Sequence, residues 1–319
     1  MQKRSLGRTG LSIAPLVLGG NVFGWTIDEA TSHSILDAFV DAGLDAIDTA
    51  DMYSRWAPGN KGGESETIIG SWLKRSGKRD NVVILTKVGM EMAPGAKGLS
   101  KAHILKSVDA SLQRLQTDHI DLYQAHQDDP ETPLEETLAT FESLITSGKV
   151  RAIGASNYTA ERLALALAES RRLGIPRFET LQPEYNLYDR AGYETALEPL
   201  CQREGLGVIP YFSLASGFLT GKYRGEADFA QSVRGKGMGD YLNSRGRRIL
   251  AALDAAAEHH RTKPAAIALA WLMARPGLTA PIASATSRAQ LETLASATRV
   301  ALTPNDIAAL DEASAPASR

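Results

Sequence analysis

Residues 82–126 read VVILTKVGMEMAPGAKGLSKAHILKSVDASLQRLQTDHIDLYQAH. Val82–Leu85 is a continuous apolar run, the pattern of a strand buried on both faces. Between Lys101 and Leu115 the apolar residues Ile104, Val108, Leu112 and Leu115 recur at helical spacing. Ile120–Tyr123 is strand-like again. Strand, helix and strand in that order predict a parallel pair joined by a helical crossover.

The same rhythm extends in both directions. Upstream, Lys3–Leu6 and Leu11–Ile13 flank a turn at Gly7–Gly10 and predict a short hairpin. Leu16–Leu18 is a short strand ending at Gly19-Gly20, and Asp28 or Thr31 caps a helix that runs to Ala42, with Gly43 as its stop. Ala46–Asp48 is strand-like, and the helix Glu64–Ser76 is closed by Gly77. Downstream, helices are expected over Leu134–Ser147, Thr159–Leu173 and Ala191–Glu204, interleaved with strands at Val150–Ala155, Phe178–Leu181 and Val208–Ile209. Helices Ser244–His260 and Pro264–Ala274 precede a last strand at Pro281–Ala283, and helices Arg288–Thr298 and Pro304–Ala313 close the chain.

About eight strand–helix alternations suit a closed (β/α)8 TIM barrel better than a doubly wound sheet. The expected fold is therefore α/β, a (β/α)8 barrel with an N-terminal hairpin and extra helices near the C-terminus. No proline-rich linker divides residues 1–319, so one domain is expected. Gly217–Gly246 is the exception, a glycine-rich charged stretch with few apolar anchors. A loop that long inside a domain is a lid, a binding loop or a solvated segment.

The chain has 319 residues, 43% hydrophobic and 23% charged, enough for a large core. Its 35 Lys and Arg nearly balance 37 Asp and Glu, for a net charge of −2. No global positive field would draw in nucleic acid or acidic lipid. Cys201 is the single cysteine, which excludes an intrachain disulfide and fits a reducing compartment. The opening residues lead into Gly7 and Gly10 rather than an apolar run, and no long apolar run follows. These features point to a cytoplasmic protein without membrane or nucleic-acid partners. No coiled-coil or apolar stripe indicates an oligomeric state.

The ionisable residues fall in a pattern. Asp48 ends the second strand, Tyr53 lies in the loop after it, Lys87 follows the third strand, and His126 lies just past the fourth. In a barrel these carboxyl ends share the face where active sites are built. Singly, each has a plain alternative: a turn cap, a packed ring, a hydrogen-bonded structural histidine. Lys87 is harder to dismiss, because an ammonium at the end of an apolar run needs a partner to offset its desolvation. Asp48 is the expected partner. A tyrosine hydroxyl, ordinarily near ~10, becomes a better acid beside a lysine ammonium. Tyr53 could then give a proton to a carbonyl oxygen while His126 orients it. Such a set supplies no electrons, so a reduction would need a hydride from a bound cofactor.

Over nearly its whole length the sequence resembles the aldo-keto reductase superfamily. The matching blocks are Ala46–Tyr53, Gly63-Glu64-Ser65-Glu66, Thr86-Lys87-Val88-Gly89, Asp121–His126 and Gly148–Tyr158. The resemblance implies reduction of aldehydes or ketones with NADPH rather than NADH, and no metal. It assigns Tyr53 as acid, Lys87 and Asp48 as its tuning pair and His126 as the orienting group. It carries Ser156, Asn157 and Gln182 to the nicotinamide carboxamide and Tyr211 to the ring face. Ser216, Gly217, Leu219, Gly221 and Lys222 match the pyrophosphate stretch, and Gly20, Asn21, Ser213 and Leu214 are further cofactor-binding positions that it implies. Ser284, Thr286, Arg288 and Gln290 are carried to the adenosine end, with Arg288 facing a 2′-phosphate.

Three departures stand out. Gln127 follows His126 where many relatives have Trp-Pro. Arg288 sits about one place late, and Gln290–Leu294 lacks the usual Glu-Asn pair.

No G-x-G-x-x-G follows a strand, and no G-x-S-x-G or H-E-x-x-H is present. His259 and His260, adjacent on a polar helix, are expected to face different directions into solvent. Phe23, Trp25, Trp56 and Tyr188 are candidates for an aromatic substrate mouth. Two other classes compete with a reductase. One is a non-catalytic nicotinamide-binding subunit that regulates a partner. The other is a barrel aldolase with Lys87 as Schiff-base nucleophile.

Overall fold

A computed structural model describes residues 1–315. The expected hairpin forms from β1 (Arg4–Ser5) and β2 (Ser12–Ile13), antiparallel, with Arg4 paired to Ile13. The Arg4 guanidinium donates to the carbonyls of Met273, Leu278 and Thr279, which pins the hairpin to the far end of the chain. Its apolar residues Leu6, Leu11 and Ile13 pack with Val17, Ala46, Leu85, Leu122 and Ile209. The hairpin thus closes one end of the barrel interior.

Eight parallel strands follow: β3 (Val17–Gly19), β4 (Ala46–Asp48), β5 (Val83–Val88), β6 (Ile120–Ala125), β7 (Val150–Ser156), β8 (Thr180–Gln182), β9 (Gly207–Val208) and β10 (Ile282–Ala283). From β3 to β9 each pairs with the next in chain order, and β10 returns to pair with β3. The ring closes through Thr279 N–H to the Val208 carbonyl at 2.8 Å and Ile282 N–H to the Pro210 carbonyl at 2.9 Å. This is the (β/α)8 barrel that the alternation predicted.

The strands run longer than their apolar cores. β5 continues past Leu85 to Val88, so Lys87 lies inside the strand rather than after it. β6 likewise reaches Ala125, leaving His126 as the next residue. In register, Leu85 faces Leu122, and one step up the barrel Lys87 faces Gln124. Because side chains alternate along a strand, the same inward face changes from leucine to polar residues toward the carboxyl end.

The helices are α1 (Glu29–Asp41), α2 (Glu64–Ser76), α3 (Lys101–Leu115), α4 (Leu134–Thr146), α5 (Ala160–Leu173), α6 (Ala191–Glu194), α7 (Leu197–Glu204), α8 (Ser244–His259), α9 (Pro264–Met273), α10 (Arg288–Ser296) and α11 (Pro304–Ser314). Asp28 caps α1 by accepting from Thr31 N–H, and Gly77 ends α2 in the left-handed conformation. The single helix expected over Ala191–Glu204 is two, because Thr195 and Ala196 break it and Ala196 leaves helical geometry. α9 is apolar all round and buried along its length, as such a helix must be. Gly70 of α2 packs so closely on α3 that a Cβ there would collide with the Arg114 carbonyl.

Residues 217–246 depart from the expected open loop. Up to the start of α8 they fold as successive 3-10 turns, held by the buried side chains of Phe218, Leu219, Tyr223 and Met238. No helix of the described residues is long and apolar enough to cross a membrane.

Candidate active site

Asp48 is the last residue of β4, and the Thr49 N–H extends the sheet by bonding to the Leu85 carbonyl at 2.8 Å. The chain then turns through Ala50–Tyr53, which sets the Tyr53 ring over the mouth. Lys87 rises inside β5 beneath it, with no exposed surface. Its ammonium donates to Asp48 Oδ2 at 2.7 Å, the Thr49 carbonyl at 2.8 Å and Tyr53 Oη at 3.0 Å. Three N–H bonds meet three acceptors. Asp48 Oδ1 accepts from Gln182 Nε2 at 2.9 Å, so the buried carboxylate is held from both sides.

These contacts set the charges. Burial opposes the Lys87 ammonium, but Asp48 and Tyr53 outweigh it and hold the lysine above its usual range. Burial likewise pushes Tyr53 up, Lys87 pulls it down and Asp48 adds to the rise; the net direction is upward. The lowered tyrosine expected from Lys87 alone is therefore not what the full environment produces. The phenol keeps its proton at neutral pH.

His126 follows β6, with its ring edge-on to Tyr53 at 5.9 Å between centroids. Burial, reinforced by Lys87, holds it well below the usual histidine range, so the ring is neutral. Its Nδ1 is buried without a partner. A neutral ring loses least by leaving the bare nitrogen there and carrying its hydrogen on Nε2.

A cavity of about 1260 Å³ opens on this rim. Asp48, Tyr53 and His126 line it, while Lys87 stands behind Tyr53. Ser156, Asn157, Gln182 and Tyr211 form one wall. Asn157 Nδ2 donates to the His126 carbonyl at 2.9 Å, and the Tyr211 hydroxyl donates to Asn157 Oδ1 at 2.8 Å. Ser213, Leu214, Ser216, Gly217 and Lys222 continue the lining, and Asn21, Ser284, Thr286 and Gln290 complete it. Ala215, Ser216 and Gly217 are three consecutive residues with positive φ, an uncommon run that bends the backbone around the cavity.

Four residues carried over to a cofactor do not line it. Gly20 lies beneath, where a Cβ would press on Ser65 Oγ and the Asp48 carbonyl. Leu219 is fully buried, and Gly221 forms a left-handed turn against Arg224 and Pro264. Arg288 stands exposed at the start of α10. Of the aromatic candidates, Trp25 and Trp56 line the cavity. Phe23 is buried, and Tyr188 packs against Tyr241 and Phe218 instead.

Lys263, the residue before α9, lines the cavity, and sequence reasoning missed it. No spacing motif marks it; only the path of the chain brings it there. Arg234, from the 3-10 segment, also reaches the cavity.

Two further clusters lie apart. Glu66 accepts from Thr86 Oγ1 at 2.6 Å and Arg114 Nε at 2.7 Å, fully buried behind the barrel wall. Asp51 is buried near it with both oxygens unpartnered, and burial, then Glu66, push its carboxyl up to about 8. Elsewhere, His259 and His260 do not diverge as expected. Both reach Asp306, at 3.3 and 2.9 Å, because His260 sits at the C-cap of α8. Among the described residues these three form the one group whose donor atoms are close enough to hold a metal ion, and none lines the cavity. Asp306 Oδ2 already accepts from the Thr303 N–H and hydroxyl, so the group ties α8 to the capped start of α11.

Residues 15–315 match the family model described as "Aldo/keto reductase family". The chain is 36% identical over 310 residues to the uncharacterized oxidoreductase YrpG of Bacillus subtilis, covering 95% of this chain and 92% of that protein. It is 33% identical over 317 residues to the aldo-keto reductase YhdN of the same organism, covering 96% and 91%. A probable voltage-gated potassium channel subunit beta of Arabidopsis thaliana is 32% identical over 302 residues, covering 92% and 89%.

Proposed function

The chain belongs to the aldo/keto reductase family, and from that premise we propose that it reduces aldehyde or ketone carbonyls with NADPH, Tyr53 acting as the general acid. The observation that carries this reading is the Lys87 ammonium, fully buried and donating to both Asp48 and Tyr53. Lys87 donates into the phenolic oxygen, so the phenol's own hydrogen is free to point elsewhere. The cavity lies on that side. As the proton leaves, the fixed ammonium stabilises the developing phenolate without reorganising. Neutral His126, with its hydrogen on Nε2, orients the same carbonyl oxygen as a second donor.

The residues present fit a dinucleotide. Ser156, Asn157 and Gln182 offer amide and hydroxyl groups beside Tyr53, and the positive-φ run Ala215–Gly217 leaves a backbone cradle near Lys222. The bound nicotinamide would supply the hydride. NADPH is favoured over NADH by charge. Lys222 and Lys263 line the cavity, and its one carboxylate among the described residues, Asp48, is already paired with Lys87. Arg288 lies outside the lining, so Lys263 joins it as a proposed partner of the 2′-phosphate. With Cys201 buried and its thiol pushed up to about 12, nothing in the chemistry needs an oxidising compartment, and the proposed setting is the cytoplasm.

The likeness to proteins named as potassium channel beta subunits favours a second reading, in which cofactor binding serves a partner. A turnover screen with NADPH and NADH over aldehydes, ketones, sugars and dicarbonyls separates the two. The reductase reading expects multiple turnovers of NADPH oxidation; cofactor binding without turnover on the whole panel would favour the subunit. The Schiff-base reading has no support in the geometry, because Lys87 is held as a charged ammonium with all three hydrogens engaged.

A further inference from the structure

Among the described residues Lys222, Arg234 and Lys263 are the cations that line the cavity, and they do not serve one end of it. Lys222 follows the backbone cradle, and Lys263 immediately precedes α9, which packs on α10 at the end assigned to adenosine. Arg234 lies elsewhere. Its guanidinium lies over the Trp25 ring, with Cζ 5.3 Å from the centroid. Trp25 packs edge-on against Trp56 at 5.5 Å, and Trp56 against Tyr53 at 5.9 Å. One continuous run of rings joins Arg234 to the proton donor.

Among the described residues the Arg234 side chain has no ion-pair partner and no hydrogen-bond acceptor, and it lines the cavity. It is half-buried. A guanidinium held partly out of water without a partner costs free energy, and stacking on an indole offsets only part of that. The ring holds the guanidinium at the cavity, where Arg234 is one of the lining residues. A guanidinium is matched to a carboxylate, which it can bind through two parallel hydrogen bonds.

We propose that Arg234 binds a carboxylate carried by the substrate at a distance from its carbonyl, so that the substrates are aldehydo- or keto-acids. This rests on the reductase reading of the same cavity. The phosphates of the cofactor are left to Lys222, Lys263 and Arg288, and the aromatic run between Arg234 and Tyr53 packs the body of the substrate.

The test compares 4-carboxybenzaldehyde with its neutral methyl ester, methyl 4-formylbenzoate, in the wild type, Arg234→Gln and Arg234→Lys. A charge-assisted pair predicts a kcat/KM ratio of about tenfold or more in favour of the carboxylate. In Arg234→Gln that ratio falls to about one, through KM; Arg234→Lys, which keeps the charge but loses the fork, falls between. A second arm needs no turnover. 4-(Hydroxymethyl)benzoate and its methyl ester are titrated into the complex with NADP+ by quenching of tryptophan fluorescence. The same preference is expected there, and the same loss. If no aldehyde is turned over but the binding preference holds and vanishes in Arg234→Gln, the carboxylate site stands and the reductase reading falls. The proposal is overturned if carbonyls are reduced with no charge preference. It is also overturned if Arg234→Gln weakens NADPH binding and lowers both substrates alike, which would assign Arg234 to the cofactor.

Discussion

Lys87 Nζ stands 3.0 Å from Tyr53 Oη while its other two hydrogens are fixed on Asp48 and the Thr49 carbonyl. The ammonium therefore cannot turn away from the phenol, and both are positioned by the barrel wall rather than by each other. Because β4 and β5 are hydrogen-bonded neighbours, with Asp48 in register with Leu85, Lys87 two residues on is held beside Asp48 before any ligand arrives. The positive charge is in place ahead of the phenolate it would stabilise.

This pair also bears on stability. In Asp48→Asn the Lys87 ammonium stays buried without its carboxylate, and the loss expected is roughly 3–5 kcal/mol in urea unfolding. Lys87→Met strands Asp48 and is expected to cost a similar amount. The double variant removes both charges together, so its loss should fall well short of the sum. Strict additivity in that cycle would show that the two residues do not interact.

Asp51 predicts a pH dependence whose sign is opposite to that of a salt-bridged aspartate. Its carboxyl is pushed up to about 8 in the folded chain and returns to about 4 on unfolding. Below about pH 4 both states are protonated. Between about 4 and 8 only the folded state keeps the proton, so stability falls as pH rises and the loss is complete above 8. Asp51→Asn, which never ionises, should gain on the wild type between pH 5 and pH 9. Denaturant titrations at the two pH values measure the difference, and a constant difference would place Asp51 in water.

His126 is held well below its ordinary value by burial and by Lys87, so it titrates in neither direction near neutrality. The profile of kcat/KM against pH should carry no limb between about pH 6 and 7. His126→Asn should raise KM more than it lowers kcat. A limb near pH 6.5 that disappears in that variant would mean that the ring is charged in the resting enzyme.

The segment 224–240 crosses the cavity and touches its far side through Arg234 on Trp25. Trypsin cutting at Arg224, Arg234 and Lys236 should slow when NADPH is added, because Ser232, Val233, Arg234, Gly237 and Met238 line the cavity proposed to hold it. Trp25→Ala should speed cutting in the free protein. Unchanged cutting at saturating NADPH would leave the segment without a role as a cover.

Strands and helices were legible because apolar runs, helical spacing and glycine stops agree locally, as at Glu64–Ser76 with Gly77. The strand ends were not. Apolar content stops at Leu85, but the hydrogen-bonded ladder continues through Thr86 and Lys87 because Glu66 and Asp48 partner those polar side chains. The order of charged residues exposed the Asp48–Lys87 pairing, yet not the direction of the Tyr53 shift, which depends on how deeply the ring is buried. Lys263 and the placing of Arg234 over Trp25 join segments far apart in the chain, and no local pattern records such a meeting. His259 and His260 were misread because regular helical spacing ends one residue earlier, at the C-cap.

The central claim is that Tyr53 delivers the proton. The most direct measurement is single-turnover oxidation of NADPH by Tyr53→Phe with a saturating aldehyde, beside an NADPH titration of the same variant. The account predicts cofactor binding close to that of the wild type and a hydride-transfer rate lower by about 10²–10⁴. A Tyr53→Phe rate within a few-fold of the wild type would contradict it.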